Sequence, residues 1–182
     1  MAGATRADLL KILLAGAAAS SAAPAAAALA EPARGGLTAR VARLEARDEI
    51  HTLMMAYGRT LDARDFAGFQ ALWATEAEYG QGAGRMSKGP AAIRASLEKA
   101  FATNAAGVRE TNFHVFVNVM IGPIEGDRAA AFSRSAFVAA NAEGKLDVVI
   151  AAHYEDEFVR EGDRWKFRRR VITADGAAPA PK

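Results

Sequence analysis

The stretch Arg47–Asp65, RDEIHTLMMAYGRTLDARD, decides the fold of this chain. Its apolar residues recur every third or fourth position, which is typical of an amphipathic helix with one buried face: Ile50, Leu53, Met54, Tyr57 and Leu61. Asp62 interrupts this stripe, and Gly58 lies one turn earlier on the same flank. Because glycine has no side chain, we predict that the helix leaves room for a ligand beside Asp62.

Length and composition favour one globular domain with a short extension. The chain has 182 residues, of which 51% are hydrophobic, so it can bury a sizeable core. Its net charge is only +2 and its basic residues are dispersed, which argues against a nucleic-acid partner. It contains no cysteine, which excludes disulfides, thiolate nucleophiles and zinc-thiolate sites.

The first 30 residues have the composition of an export signal. Arg6 and Lys11 accompany a stretch rich in leucine and alanine, and Ala28–Ala30 gives the small-x-small pattern of a cleavage site. We therefore predict an exported, periplasmic protein without a stable membrane anchor. Ala7 stands where a twin-arginine signal has its second arginine, so the general secretory and twin-arginine routes both stay open. The alternative is an alanine-rich disordered tail on a cytoplasmic protein.

The first half of the remaining chain is predicted to be helical. After a linker at 31–37, helices are expected at Thr38–Leu61 and at Phe66–Trp73, the second capped by Asp65. A loop follows Tyr79, and Gly89-Pro90 opens a third helix.

The second half alternates between apolar and polar residues, which predicts strands. Short glycine-containing turns separate four such runs: Thr111–Ile121, Arg128–Ala140, Leu146–Arg160 and Arg164–Thr173. Helices followed by an antiparallel meander indicate the α+β class. We predict a cone-shaped α+β barrel over 38–174, with N-terminal helices on a curved antiparallel sheet, an apolar pocket inside it, and a disordered tail at 175–182.

Several motifs occur in the order and spacing of a known family. They are Tyr57-x4-Asp62, the helix opened by Asp65, Trp73, Gly89-Pro90, His114–Asn118 (HVFVN), Tyr154–Phe158 (YEDEF) and Trp165–Phe167 (WKF). This pattern resembles the nuclear transport factor 2-like superfamily and, within it, the SnoaL-like group. The fold hosts cyclases, isomerases, dehydratases, dehydrohalogenases and non-catalytic subunits, so the resemblance implies a fold more firmly than a reaction.

The resemblance also implies a set of site residues. Scytalone dehydratase, bile-acid 7α-dehydratase and hexachlorocyclohexane dehydrochlorinase are cofactor-free relatives that use an aspartate-histidine pair to remove a proton. Their motif positions correspond here to Asp62 and His114. The tyrosine or lysine five residues before that aspartate corresponds to Tyr57, and a pocket arginine on the last strand corresponds to Arg170.

Alternation alone leaves several of these roles open. His114 shares a mixed strand face with Phe116, Asn118 and Met120, and such a face lines either a pocket or solvent. In the first case Asp62 would orient the imidazole as a general base. In the second case His114 is structural or exposed, and Asp62 is a solvated surface charge. With Trp73, the three neighbours of His114 on this face are the candidate substrate-binding residues.

Two further assignments stay open. Tyr57 lies on the buried stripe, so it is either a core residue or a hydroxyl donor to substrate. Simple alternation favours Arg169 as the buried arginine of the last strand, the resemblance favours Arg170, and a β-bulge would reconcile the two. His51 and His153 are far from His114 in sequence and form no paired ligand motif, so we predict neither a metal nor a cofactor.

The function predicted from these residues is a cofactor-independent lyase, dehydratase-like, or an isomerase. It would act on a small hydrophobic cyclic or aromatic compound, with His114 and Asp62 performing acid-base proton abstraction. The alternative is a non-catalytic domain of the same fold that binds a small molecule or another subunit. We also expect a homo-oligomer, either a dimer or a trimer.

Overall fold

The computed structural model describes residues 36–82, 85–103 and 111–175. The predicted export signal and most of the predicted linker and tail lie outside these residues. Asp175 is described, and the prediction that it belongs to a disordered tail is wrong. Its backbone N–H donates to the carbonyl of Ala151 at 2.8 Å, and its carboxylate pairs with Arg134 at 2.7 Å. No described helix is both long and apolar enough to cross a membrane.

The described chain consists of helices followed by a sheet, so the predicted α+β class is confirmed. The elements are α1 (Leu37–Asp62), α2 (Phe66–Ala71), β1 (Trp73–Gln81), β2 (Arg85–Lys88), α3 (Pro90–Thr103), β3 (Asn112–Glu125), β4 (Arg128–Ala140), β5 (Leu146–Glu161) and β6 (Arg164–Ala174). Asp65 caps α2 as predicted, because its side chain accepts a hydrogen bond from the Gly68 N–H at 2.8 Å.

The strands form one curved sheet in the order β2-β1-β6-β5-β4-β3. Strands β3 to β6 make the predicted antiparallel meander, while β1 pairs parallel with β6 and antiparallel with β2. The helices lie at one face, with α1 against β3 and β6. This arrangement places the C-terminal end of α1 beside the start of β3.

The expectations for the region between Phe66 and Pro90 were partly wrong. The second helix ends at Ala71, and Trp73 begins a strand because it is in register with Phe167 of β6. The segment predicted as a loop contains β2. The meander is therefore part of a larger sheet than the sequence pattern indicated.

A β-bulge in β3 changes which residues face the helices. The register with β4 slips between Val117 and Met120, and Asn118 adopts a positive φ of 51°. His114 and Phe116 precede the bulge and face inward, whereas Asn118 and Met120 are exposed. The prediction that these four side chains share one face is wrong, because the bulge adds one residue to the alternation.

The buried face of α1 is the predicted stripe. Ile50 and Met54 are 0% exposed and Tyr57 is 1% exposed, and they join one cluster with aromatic side chains from the sheet. Tyr57 is at the centre of this cluster, since its ring contacts those of seven other residues: Phe69, Trp73, Tyr79, His114, Phe116, Tyr154 and Phe167. The helix that carries Asp62 is thus fixed by core packing.

Candidate active site

Asp62 and His114 are joined by two hydrogen bonds. His114 Nδ1 lies 2.6 Å from Asp62 Oδ1, and the backbone N–H of His114 donates to Asp62 Oδ2 at 3.0 Å. The His114 side chain is 9% exposed and that of Asp62 is 21% exposed, so the pair is mostly but not wholly shielded from solvent. The carboxylate therefore fixes both the ring and the backbone of the histidine.

This geometry determines which imidazole nitrogen can take up a proton. An ionised carboxylate only accepts hydrogen bonds, so in the neutral imidazole paired with it Nδ1 carries the proton and Nε2 holds a free lone pair. Nε2 forms no hydrogen bond with any described residue. The ring is held in place by Phe137, whose centroid is 4.8 Å away, and by the stacked ring of Phe116 at 6.2 Å. Such an imidazole has the arrangement of a general base.

Gly58 does not leave open space beside Asp62, and that expectation was wrong. A Cβ atom at this position would lie 2.9 Å from Cε2 of Phe116 and 3.2 Å from the Cβ of His114. The glycine instead allows close approach of α1 to β3, so that Asp62 reaches the histidine.

Tyr57 is in the core and also next to His114. Its hydroxyl lies 3.2 Å from that of Tyr79, and its ring centroid is 6.2 Å from that of His114. Burial, followed by the neighbouring Tyr79 and Tyr154, raises the pKa of Tyr57 well above its ordinary value. Its hydroxyl therefore stays protonated at neutral pH.

The sheet buries Arg170 rather than Arg169. Across the hairpin, Phe158 is in register with Phe167 but Glu157 is in register with Arg169, so Arg168 is the extra residue of a bulge. Arg170 is 0% exposed, whereas the side chain of Arg169 is 32% exposed and lies near surface carboxylates. The bulge turns the second of the two candidates inward.

Arg170 is held by Asp156 in a bidentate pair. Nε and Nη2 donate to the two carboxylate oxygens, each at 2.7 Å, and both side chains are 0% exposed. The guanidinium carbon lies 4.1 Å from the ring centroid of Tyr57. Burial alone would lower the pKa of Arg170, but the carboxylate outweighs it and holds that pKa above its ordinary value. Nη1 is buried without a hydrogen-bond partner among the described residues.

The predicted substrate-binding residues separate into three groups. Phe116 lies beside His114 and contacts the rings of Tyr57 and Tyr154. Trp73 is 3% exposed and packs on the side of Tyr57 in the core. Asn118 and Met120 lie beyond the bulge, away from this group.

Four polar residues near the site were not assigned a role from the sequence. They are Tyr79, Ser135, Tyr154 and Asp156. Asp156 alternates with apolar residues on an inward strand face, and a buried acid of that kind needs a buried base, which is a signal for a partner on β6. The other three had no signal, because their grouping depends on strands that are distant in sequence.

The three tyrosines of the chain are all buried near the candidate site, which predicts a loss of stability at alkaline pH. Burial raises the pKa of Tyr79 to about 12, and burial likewise raises the pKa of Tyr57 and Tyr154. The unfolded chain ionises its phenols from about pH 10, so the stability from the protonated phenols is complete below that pH. It is lost as the pH rises towards 12, by about 1.4 kcal/mol per unit for each phenol.

Urea unfolding midpoints at pH 8, 10 and 11.5 measure this loss, and absorbance of tyrosinate at 295 nm follows the three phenols directly. Tyr79→Phe is expected to reduce the slope between pH 10 and 12. A midpoint that is flat over this range, or phenols that ionise near pH 10 in the folded protein, would contradict the prediction.

No group of three or more His, Cys, Asp or Glu residues in the described segments is arranged to hold a metal ion. Away from the candidate site, His153 pairs with Asp175 at 2.8 Å on the outer face of the sheet.

Comparison with known sequences identifies the domain. Residues 42–171 match the model of the SnoaL-like domain. No curated protein has a significant sequence match to the chain.

Solved structures share the same architecture. An NTF2-like protein with a cystatin-like fold from Novosphingobium aromaticivorans is 26% identical, with a TM-score of 0.69 over 79% of this chain and 91% of that chain. A protein provisionally named a scytalone dehydratase from the same organism is 19% identical, with a TM-score of 0.61 over 74% and 87%. A type 2 hexachlorocyclohexane dehydrochlorinase is 22% identical, with a TM-score of 0.59 over 78% and 97%. At such identities the last two similarities concern the fold alone.

Proposed function

The chain belongs to the SnoaL-like domain family, and from that premise we propose that it is a cofactor-independent lyase or isomerase that acts through Asp62 and His114. The observation that carries the proposal is the 2.6 Å contact between Nδ1 and Oδ1, which leaves Nε2 without a partner among the described residues. A solvated surface acid or a purely structural histidine would not require this arrangement. The apolar surroundings favour a small hydrophobic substrate, cyclic or aromatic.

The reaction begins with removal of a proton from carbon by His114 Nε2. In an elimination the C–H electron pair becomes a carbon-carbon double bond, and the leaving group departs with its own electron pair; in an isomerisation no group leaves, and the pair moves into an adjacent double bond or carbonyl. In a dehydration the leaving hydroxide takes the proton from the imidazolium and becomes water. In an isomerisation the same proton returns to a different carbon. Asp62 stabilises the imidazolium between these two transfers.

Negative charge that develops on a substrate oxygen needs a donor. Arg170 and Tyr57 are the candidates, because both remain protonated, Tyr57 lies beside the histidine, and the guanidinium of Arg170 lies against the ring of Tyr57. Nη1 of Arg170 has no hydrogen-bond partner among the described residues, so its hydrogens are available to a substrate oxygen.

The rival proposal is a binding or subunit-association domain that has the fold without the chemistry. Several neighbours in structure are themselves of unknown function, so the fold alone does not separate the two. The two differ in whether His114 is required for turnover.

The test is a screen of cyclic and aromatic hydroxy compounds. Absorbance measures the formation of a conjugated product, and NMR in D2O measures exchange of the acidic C–H. We expect turnover by the wild type and a loss of roughly 10²- to 10⁴-fold in His114→Gln. His51→Gln is the matched control, since His51 is exposed on α1.

Equal turnover by His114→Gln and the wild type would exclude the proposed mechanism. Binding of these compounds without elimination or exchange would favour the rival.

We also propose that the outer face of the sheet joins a second copy of the chain. Six large apolar side chains on this face are more than a third exposed: Phe113, Val115, Val117 and Met120 of β3, with Leu146 and Val148 of β5. A contiguous apolar patch of this kind marks an interface. Light scattering should give an oligomer for the wild type and a lower mass for Val117→Glu, whereas a monomeric wild type would refute the proposal.

A further inference from the structure

The hydroxyl of Tyr154 is buried with only half of its hydrogen-bonding capacity used. Ser135 Oγ donates to Tyr154 Oη at 2.8 Å, so the phenol oxygen acts as the acceptor. The phenolic proton then points elsewhere, and no described residue accepts it. Tyr154 is 4% exposed, and a buried donor without an acceptor costs about 1–3 kcal/mol.

The position of this donor relates it to the Asp62–His114 pair. Tyr154 packs its ring against Phe116 at 5.7 Å, and Phe116 stacks on His114. Burial raises the pKa of Tyr154, and the charge of Asp62 is among the smaller causes that raise it further. The phenol therefore stays protonated and lies within the electrostatic reach of the carboxylate.

Other polar groups next to Tyr154 also lack acceptors. The guanidinium carbon of Arg170 lies 4.6 Å from the ring centroid, and Nη1 of this arginine has no described partner. Ser133 is in register with Tyr154 on the adjacent strand, and its Oγ is buried without a described partner. Buried donors concentrated at one place would be satisfied by an oxygen atom from outside the protein.

We propose that Tyr154 binds substrate directly, donating its phenolic proton to an oxygen acceptor on the bound molecule, and that Ser135 is a positioning residue that fixes the direction of this donation. The inference rests on the proposed function in that the site binds a small molecule. It adds that this molecule carries an acceptor oxygen on the side of Tyr154. Its test requires no turnover and thus fails or succeeds independently of the His114 mechanism.

The probe is 2-acetylnaphthalene, an apolar aromatic ketone that accepts hydrogen bonds and cannot donate them. Its carbonyl stretch moves to lower frequency when a phenol donates to it, and infrared difference spectra measure this shift in the bound state. We expect a shifted band with the wild type and its loss in Tyr154→Phe, which keeps the ring contacts. The wild type should bind the ketone roughly five- to tenfold more tightly than 2-ethylnaphthalene, which lacks the oxygen.

The role of Ser135 is tested by a matched pair of variants. Ser135→Ala removes the hydrogen bond to Tyr154 and is expected to reduce the shift of the carbonyl band. Ser96→Ala removes a hydroxyl that donates to the backbone carbonyl of Ile93 within α3, away from Tyr154, and should leave the band unchanged.

Absence of a shifted band with the wild type would overturn the proposal, whether the ketone is bound or free. An unchanged band in Tyr154→Phe would also overturn it, because another residue would then be the donor. Should Tyr154→Phe not fold, equal bands in Ser135→Ala and Ser96→Ala overturn the proposal, and a reduction confined to Ser135→Ala supports it.

Discussion

Replacing Asp156 by Ala is expected to lower the free energy of unfolding by about 3–5 kcal/mol, because it leaves the charge of Arg170 buried without a counter-ion. Both side chains are 0% exposed and their two contacts are 2.7 Å each. The guanidinium is enclosed by the rings of Tyr57 and Phe167, with its carbon 4.1 and 4.4 Å from their centroids, so water cannot easily replace the carboxylate.

Urea denaturation at neutral pH measures this loss, and two comparisons interpret it. The double variant Asp156→Leu with Arg170→Met removes both charges, and we expect it to be more stable than Asp156→Ala alone. Arg169→Met removes the neighbouring arginine, whose surface contacts are 3.7 and 3.8 Å, and should cost less than about 1 kcal/mol. Equal losses of unfolding free energy in Asp156→Ala and Arg169→Met would show that the buried pair contributes no more to stability than an exposed arginine does.

Replacing Asp62 by Asn is expected to reduce turnover by roughly 10²- to 10⁴-fold while the protein stays folded. The carboxylate accepts from two donors of His114, the ring and the backbone N–H. An amide has one acceptor oxygen, so its NH2 group must face one of these positions. If it faces the ring, Nδ1 becomes the acceptor and the proton moves to Nε2, which removes the base.

The change of tautomer in Asp62→Asn can be measured without a substrate, since the ¹⁵N NMR shifts of the imidazole distinguish its two tautomers. Asp65→Asn is the matched control, because the Asp65 side chain accepts from the Gly68 N–H, away from His114, and asparagine caps a helix equally well. Full turnover by Asp62→Asn, or a His114 ring whose tautomer is unchanged, would contradict the proposed role of the carboxylate.

The helices and the long antiparallel strands could be predicted because their patterns are local. The stripe from Ile50 to Leu61 has the period of a helix, and glycine turns separate the strands of the meander. The resemblance added the pairing of Asp62 with His114, which are 52 residues apart and which no periodicity connects. Their approach depends on Gly58, whose purpose became evident only when the side chains opposite it were located.

Simple alternation fails at two places in the sheet, because bulges break the two-residue period of a strand. Alternation from Phe167 points to Arg169, and the extra residue at Arg168 brings Arg170 inward instead. The slip after Val117 in the same way moves Asn118 to the outer face. Nothing in the local sequence marks either site.

Strand β1 was missed for a different reason. Its sequence WATEAEYGQ begins with residues that also suit a helix, and its register with β6 shifts between Trp73 and Glu78, so buried and exposed positions do not alternate. Its parallel partner is distant in sequence, which leaves no hairpin signal.

The second hydrogen bond of Asp62 has a consequence for the solubility of the protein. Strand β3 is the last strand of the sheet, and an exposed edge is a template on which another chain can add a strand. The backbone N–H of His114 is taken by Asp62 Oδ2, so the residue that orients the imidazole also closes one position of this edge. Loss of the carboxylate would therefore carry an aggregation liability that is independent of its effect on turnover.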